Sequence, residues 1–234
     1  MLLVIETATR SASVAAVAPD GTCLKVQALP GRDTAAHLAP AVSELLARFG
    51  PPQGYVVDLG PGSFTGLRVG LAFAKGLARG RPAPAVGLGS LEVLAAALLD
   101  GAPEGTSALP TLSASGGAVF AGRFRRIAGH AVADEALPVG LYPPARVAEQ
   151  LRAMDARVGG EGWPAVAAAL GEDAERGHGV ASEGNAPTVP DARTLGRLGA
   201  ARWAAGAGRP MAELEPAYHQ LSAAEAKLRG GCSA

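Results

Sequence analysis

The sequence predicts an α/β protein of two lobes, each with a mixed β-sheet flanked by helices. Its N-terminal part alternates apolar runs and amphipathic segments in the order β-β-β-α-β-α-β-α. A meander of three strands followed by alternating strands and helices is the pattern of a ribonuclease-H-like lobe. A weaker copy of this order follows a polar stretch at residues 100–106. Two lobes of related plan indicate the actin-like (ASKHA) architecture, whose ligands lie in the cleft between lobes.

The first lobe is predicted from hydrophobic periodicity and from the turn residues between its elements. The continuous apolar run at residues 2–5 is typical of a strand buried on both faces, and Asp20-Gly21 indicates a hairpin turn. Residues 37–49 have apolar positions at helical spacing, and Gly50-Pro51-Pro52 ends that helix. The other predicted elements are strands at residues 13–18, 22–29, 54–59 and 83–86, a helix at 65–79, and a helix capped by Ser90 that runs to residue 99.

The second lobe carries weaker signals. Its predicted strands are residues 108–112, 118–127, 130–139 and 156–158, and its predicted helices are 143–154, 163–170 and 194–205. Residues 171–190 are polar and aperiodic, which predicts a loop. The sequence therefore divides into a first lobe, residues 1–104, and a smaller, divergent second lobe, residues 105–234, whose tail packs back on the first.

Composition restricts the classes of function. The formal net charge is zero, whereas a protein that grips nucleic acid by itself usually shows a basic footprint. Two distant cysteines argue against a disulfide framework. The N-terminus lacks the basic region of a signal peptide, and no apolar stretch approaches the roughly 20 residues of a membrane span. The sequence thus predicts a cytoplasmic protein with no membrane contact.

The strongest local signal is the run GPGSFTGLRVG at residues 60–70. It predicts a strand end, a glycine turn and a helix start with Ser63 as N-cap. Backbone amides and the positive end of a helix dipole can hold an anion. One hypothesis is therefore an anion or nucleotide site; the alternative is that the glycines only permit a sharp turn. The candidate residues of such a site are Glu6, Thr7, Gly60, Gly62 and Ser63.

The helix after this loop has little bulk on one side. Gly66, Gly70, Ala74 and Ala78 recur every four residues and form a ridge almost without side chains. Val69, Phe73 and Leu77 form the next ridge, and the charged residues lie on one narrow stripe. A helix that covers only its own sheet needs one apolar face, so this pattern predicts either an interface with a partner or burial within the lobe.

The turns that hold phosphate in actin-like phosphotransferases are altered here. The first strand ends in Glu6-Thr7-Ala8, where such enzymes carry an Asp and a Gly-Thr pair, and the Ala8 methyl should hinder approach of a phosphate. The corresponding turn of the second lobe, residues 113–117, has no carboxylate. The four histidines form no metal-binding pair. The chain is therefore interpreted as a degenerate member of its class.

Residues 60–78 resemble the hallmark of the TsaB (YeaZ) family, and residues 1–17, 37–46, 86–98 and 215–218 resemble its flanking elements. This resemblance implies a non-catalytic subunit of the complex that forms N6-threonylcarbamoyladenosine at position 37 of ANN-decoding tRNAs. It implies binding to a TsaD-type catalytic paralogue and a TsaE-type ATPase, contact with tRNA through the complex, and no cofactor of its own. ATP and a divalent metal would belong to the partner proteins.

The two helices of residues 37–49 and 65–79 are then the predicted interface, and the same surface would form a homodimer when the chain is alone. Ala74→Trp or Gly70→Leu should abolish association and leave a folded monomer. A metal-dependent glycoprotein endopeptidase and an actin-like small-molecule kinase are the alternative functions. The predicted interface residues are Leu38, Val42, Leu45, Gly66, Arg68, Val69, Gly70, Phe73, Ala74 and Leu77.

Overall fold

The computed structural model describes residues 1–31, 33–175 and 187–217. The first lobe is a five-stranded sheet in the order β3-β2-β1-β4-β5. β1 is antiparallel to β2 and parallel to β4, and β4 is parallel to β5. The strands are β1 Leu2–Glu6, β2 Ser13–Val17, β3 Cys23–Ala28, β4 Gly54–Asp58 and β5 Ala85–Leu88, and the helices are α1 Thr34–Phe49, α2 Phe64–Gly80 and α3 Ser90–Leu98.

The central strands of this sheet are covered on both faces. Leu3 and Ile5 belong to the core cluster that contains the buried residues of α1 and α2. Leu2 and Val4 belong to a second cluster on the opposite face. This double cover is the reason that β1 is a continuous apolar run in the sequence.

The second lobe is built around β6, which pairs with β7, β8 and β11. α4 and α5 pack against this sheet through the core cluster that contains Val147 and Val166. The strands are β6 Ser107–Ser113, β7 Val119–Ala121, β8 Phe124–Ile127, β9 His130–Ala133, β10 Gly140–Tyr142 and β11 Arg157–Gly159, and the helices are α4 Pro144–Arg152, α5 Trp163–Leu170, α6 Glu172–Glu175 and α7 Ala192–Ala204. Two lobes with mixed sheets confirm the predicted α/β, actin-like architecture.

Helix α3 joins the lobes. Its residues Leu91, Leu94 and Leu98 share a core cluster with residues of the second sheet. Two arginines of the second lobe bind its C-terminal carbonyls: Arg157 Nη1 donates to Leu98 O at 2.9 Å, and Arg126 Nη1 donates to Leu99 O at 2.6 Å. Positive charge is stabilising at this end of a helix, so the arginines hold the lobes together at the helix terminus.

The C-terminal segment returns to the first lobe. α7 covers the first sheet through Leu195, and its glycines allow the close approach, since a Cβ at Gly199 would lie 2.3 Å from Val56 Cγ1. Arg209 pairs with Ala85 beside β5, and Met211 and Leu214 enter the core under α1 and α2. The first lobe therefore contains residues from both ends of the described chain.

Several predicted elements need correction. α1 begins at Thr34 rather than at residue 37. The predicted strand 118–127 is two strands, because Arg123 N donates to Leu137 O and not to a strand partner. The predicted strand 130–139 ends at Ala133, β10 follows it, and α6 lies in the predicted loop 171–190. Residues 176–186 of that loop, as well as Tyr218, His219 and Cys232, lie outside the described residues.

Candidate partner-binding surface and strand-end carboxyl pair

The small ridge of α2 faces its own lobe. A Cβ at Gly70 would lie 2.1 Å from Thr7 Oγ1, and a Cβ at Gly66 would lie 2.2 Å from Thr7 O. Ala74 and Ala78 are buried in the core between α1, α2 and the sheet. The ridge therefore lets α2 approach the turn after β1, and its prediction as a partner-facing ridge is wrong.

Three predicted interface residues of α1 are also enclosed by the protomer itself. Leu38, Val42 and Leu45 are each at most 2% exposed, in the cluster that contains Ile5 and Val57. Helical spacing shows only that these residues share a face, and this face lies on the sheet. The prediction that Leu38, Val42 and Leu45 contact a partner is therefore wrong, as it is for Gly66, Gly70 and Ala74.

The remaining predicted interface residues lie at the outer surface of α2. Arg68 is exposed, and its guanidinium carbon lies 3.8 Å from the centre of the Phe64 ring. Val69, Phe73 and Leu77 are half-buried and pack against the core. Their role in an interface stays a prediction.

Two small residues that the sequence pattern did not single out lie on the same surface. Ala72 and Gly76 are exposed, and a Cβ at Gly76 would have no atom of the described residues within 4 Å. Gly76 could have been noticed in the sequence as a mid-helix glycine that lies outside the ridge of Gly66, Gly70, Ala74 and Ala78, whereas no sequence signal marks Ala72. We call the group formed by Arg68, Val69, Ala72, Phe73, Gly76 and Leu77 the outer face of α2.

The other candidate site is at the carboxyl ends of β1 and β4. Glu6 and Asp58 end these neighbouring parallel strands, and both are buried. Glu6 Oε1 accepts a hydrogen bond from Ala8 N at 2.7 Å. Asp58 Oδ1 accepts from Gly60 N at 2.7 Å and from Ser90 Oγ at 2.6 Å. Among the described residues the second oxygens, Glu6 Oε2 and Asp58 Oδ2, have no hydrogen-bond partner.

Burial and mutual repulsion favour protonation of these two carboxyl groups. Desolvation raises the pKa of Glu6 well above its usual value, and the charges of Asp58 and Asp191 raise it further. Desolvation also raises the pKa of Asp58 to about 6, against the lowering effect of the bonds from Ser90 and Gly60. The sequence pattern indicated Glu6 but not Asp58, although each residue is the acid that ends an apolar strand.

Ser90 is involved in the same arrangement. It is the first residue of α3, Gly89 is the N-cap, and no side chain caps this helix end. The prediction of Ser90 as N-cap is wrong because Ser90 is already helical, and its hydroxyl instead donates to Asp58. Ser63, by contrast, is the confirmed N-cap of α2, since its Oγ accepts from Gly66 N at 3.2 Å.

The glycine loop of residues 60–63 uses its polar groups within the protein. Gly60 N is bound to Asp58, and Ser63 N donates to Ala8 O at 2.6 Å. A Cβ at Gly62 would lie 2.3 Å from Ala8 O, so this glycine serves the contact between loop and turn. The anion-site prediction is therefore wrong for the amides of Gly60 and Ser63, and a buried Glu6 with a raised pKa offers no attraction to phosphate.

The arginines of β8 and its neighbourhood have acidic partners. Arg123 and Arg125 lie 3.3 Å and 3.0 Å from Asp134, and Arg126 lies 3.3 Å from Glu104. Within the described ranges no three or more histidine, cysteine, aspartate or glutamate side chains are placed to hold a metal ion. No helix in these ranges is both long and apolar enough to cross a membrane.

Comparison with known proteins gives the family. The family described as TsaD, tRNA N6-adenosine threonylcarbamoyltransferase, matches residues 31–159, more than half of the chain. The chain is also 37% identical over 98 residues to the tRNA threonylcarbamoyladenosine biosynthesis protein TsaB of Escherichia coli. The chain belongs to the TsaB (YeaZ) branch of this family. The TsaB protein of Haemophilus influenzae is 35% identical over 103 residues.

The curated relatives match only part of this TsaB-family chain. The aligned segments cover 40% and 42% of the chain, and the chain spans less than half of those relatives, 42% and 43% of their lengths. Solved structures agree over a larger part. YeaZ from Pseudomonas aeruginosa has a TM-score of 0.72 at 25% identity, covering 93% of this chain and 98% of that one.

A second Pseudomonas aeruginosa structure, described as similar to peptidase YeaZ, has a TM-score of 0.75 at 26% identity. It covers 94% of this chain and 99% of that one. Both lobes of the TsaB-family fold are therefore present here, including the second lobe, in which the sequence signals are weak.

Proposed function

We propose that this chain is a non-catalytic subunit of the complex that forms N6-threonylcarbamoyladenosine at position 37 of ANN-decoding tRNAs. In this proposal it binds a TsaD-type catalytic paralogue and, transiently, a TsaE-type ATPase. It meets tRNA through the assembled complex and forms a homodimer when alone. Membership of the TsaB branch supports the pathway, and the outer face of α2 supports the mode of action.

The exposed Gly76 is the observation that carries the proposal. A glycine inside a helix costs about 1 kcal/mol relative to alanine. Gly70 offsets this cost by its contact with Thr7, but a Cβ at Gly76 would meet no atom of residues 1–31, 33–175 or 187–217 within 4 Å. A helix from another chain could use that space, because small residues let two helix axes approach closely and interlock.

The surroundings of Gly76 fit a protein partner. Val69, Phe73 and Leu77 are anchored in the core and leave part of each side chain exposed. Apolar and aromatic side chains are typical of the centre of an interface, and Arg68 supplies a charged side chain beside them. A homodimer would pair this surface with itself, and a paralogue of the same fold would offer a similar one.

The carboxyl groups support a non-catalytic role. A group that acts on a substrate must reach it, whereas the side chains of Glu6 and Asp58 are buried. One oxygen of each carboxyl group is already bound, to a backbone amide and, for Asp58, also to Ser90. The catalytic step, the ATP and the divalent metal are therefore placed on the partner proteins in this proposal.

The test uses substitutions that enlarge the outer face. Gly76→Leu and Ala72→Trp should leave a folded chain, because both sites are exposed, but should reduce association at least tenfold. The assay is co-purification with the TsaD-type paralogue of the same genome, with sedimentation of the lone chain and formation of the modified nucleoside in the reconstituted reaction. Ala145→Trp, at an exposed position of α4 in the second lobe, is the matched control. If both outer-face variants assemble normally, the outer face of α2 is not part of the interface.

A further inference from the structure

The carboxyl groups of Glu6 and Asp58 are brought together by strand register. Ile5 pairs with Val57 in the parallel ladder of β1 and β4, so Glu6 and Asp58 form the next pair. Val4 and Val56 point to the face that α7 covers. Since every second residue of a strand points to the same face, Glu6 and Asp58 lie side by side on the α7 face of the sheet.

Each group has one oxygen with donors and one without. Glu6 Oε1 and Asp58 Oδ1 accept the bonds from backbone amides and from Ser90. Glu6 Oε2 and Asp58 Oδ2 are enclosed without any donor among the described residues. Buried carboxylate oxygens without a donor are strongly unfavourable, and two adjacent carboxylates do not both ionise in a buried site. If one of the two groups is protonated, its O–H becomes the donor that the unpaired oxygen of the other group lacks.

We propose that Glu6 and Asp58 share one proton between Oε2 and Oδ2, and that this hydrogen bond fastens the ends of β1 and β4 together. The bond also holds the turn after β1 and the loop after β4. Ala8 N donates to Glu6, and Ala8 O accepts a hydrogen bond from Ser63 N. Gly60 N donates to Asp58, and Gly60 begins the loop that leads into α2. The proton therefore stabilises the junction from which α2 starts.

A metal ion fits the site less well than a proton. No third ligand is placed with the pair among the described residues. The next acid is Asp191, and its carboxylate caps α7, where Oδ1 accepts from Arg193 N and Thr194 N and Oδ2 accepts from Thr194 Oγ1. Two carboxylates without further oxygen ligands are a poor site for Mg²⁺ or Ca²⁺.

The charged groups around the pair favour retention of the proton. On Glu6 the acting charges are Asp58 from β4 and Asp191 from α7, and both are negative. From α3 the pair meets the neutral hydroxyl of Ser90, and the next acid of that helix, Glu92, is bound to Arg202 of α7. The pKa of Asp58 is raised to about 6 and that of Glu6 well above its usual value, and both shifts favour retention of a proton by the pair.

The sign of the pH effect follows from these shifts. Both pKa values are raised in the folded chain, so the stabilisation is fully present below the unfolded-state values near 4. It decreases as pH rises above those values and is lost once pH has passed the folded-state pKa values, about 6 for Asp58 and well above the usual value for Glu6. The wild-type protein should therefore become less stable between pH 6 and pH 9, whereas Glu6→Gln, which carries a permanent donor, should lose that part of the dependence.

The first measurement uses the wild-type chain alone. Infrared spectra at neutral pH should contain the C=O band of a protonated carboxyl group, and Glu6→Gln should remove it. Over the range pH 6 to 9, the unfolding constant from urea titration should rise at least about tenfold more in wild type than in Glu6→Gln, because a proton that only the folded chain retains changes this constant tenfold for each pH unit. Glu161→Gln, at a half-buried glutamate of the second lobe whose pKa is also raised, is the matched control and should keep the band.

Three results would overturn the proposal. The first is a wild-type spectrum without the protonated band at neutral pH, a result that does not depend on whether any variant folds. The second is a Glu6→Gln protein with unchanged pH dependence; Asp58→Asn is the second variant if Glu6→Gln does not fold. The third is loss of the band on addition of Mg²⁺ or Ca²⁺ to chelator-treated protein, with a saturable rise in thermal midpoint, which would identify a cation site.

Discussion

Two glycines of α2, six positions apart, should respond in opposite ways to the same substitution. A Cβ at Gly70 would lie 2.1 Å from Thr7 Oγ1, 3.1 Å from its Cγ2 and 3.2 Å from its Cβ. Rotation of the Thr7 side chain moves Oγ1 and Cγ2 but not Cβ, so the close contact at 3.2 Å remains, and Thr7 itself is buried. Gly70→Ala therefore forces a backbone shift in α2 or in the turn after β1.

The packing cost and the helix propensity act in opposite directions at Gly70. Overpacking a core site by one methyl typically costs about 1–3 kcal/mol, and replacing a mid-helix glycine by alanine returns about 1 kcal/mol. Gly70→Ala should thus lower the free energy of unfolding by up to about 2 kcal/mol. Gly76→Ala gains helix propensity without a clash, so it should raise the free energy of unfolding by up to about 1 kcal/mol.

The assay is urea unfolding monitored by circular dichroism, at a protein concentration low enough to keep the chain monomeric. If the free energy of unfolding falls with urea concentration at the same slope in the two variants and the wild type, differences in their urea midpoints report differences in stability. A Gly70→Ala protein as stable as Gly76→Ala would refute the packing of the small ridge on Thr7. It would also restore that ridge as a candidate for the partner-facing side of α2.

Three further predictions concern the helix cap, nucleic acid and turnover. Ser63→Ala should lower the free energy of unfolding by about 1 kcal/mol, since Gly66 N loses its acceptor, and Ser63→Asp should restore most of it in the same urea assay. The lone chain should bind tRNA only weakly, because its formal net charge is zero, and the binding should weaken further as salt rises; submicromolar binding at physiological salt in a filter or anisotropy assay would contradict this. The pure chain should neither hydrolyse ATP nor cleave protein, and metal-dependent turnover that a point substitution within it abolishes would overturn the non-catalytic proposal.

The sequence predicted the order of strands and helices in the first lobe well, because that order depends on local periodicity. It did not predict which neighbour each face meets. The ridge of Gly66, Gly70 and Ala74 has the same pattern whether it lies on the protein's own turn or on a partner. Only the position of Thr7 in space decides between the two.

Of the two carboxyl groups at the strand ends, the sequence pattern indicated only Glu6, for a related reason. Glu6 stands out in the sequence because it ends an apolar run and begins a recognisable turn, whereas Asp58 has meaning only once β1 and β4 are known to be parallel neighbours. Ser90 has the sequence signal of an N-cap, but it is the first residue of α3, and its hydroxyl donates to the carboxyl group of Asp58, 32 residues away in the chain. Long-range pairing, which local patterns do not contain, decides both cases.

The return of α7 to the first sheet affects how the chain is synthesised and how it can be divided. On the ribosome, the face lined by Leu2, Val4 and Val56 stays uncovered until α7 has been made, after the whole second lobe. A fragment that ends at residue 104 would keep that bare apolar face permanently, and exposed sheet faces of this kind aggregate. A soluble first lobe would instead need residues 1–104 joined to residues 187–217, so no single cut in the gene yields it.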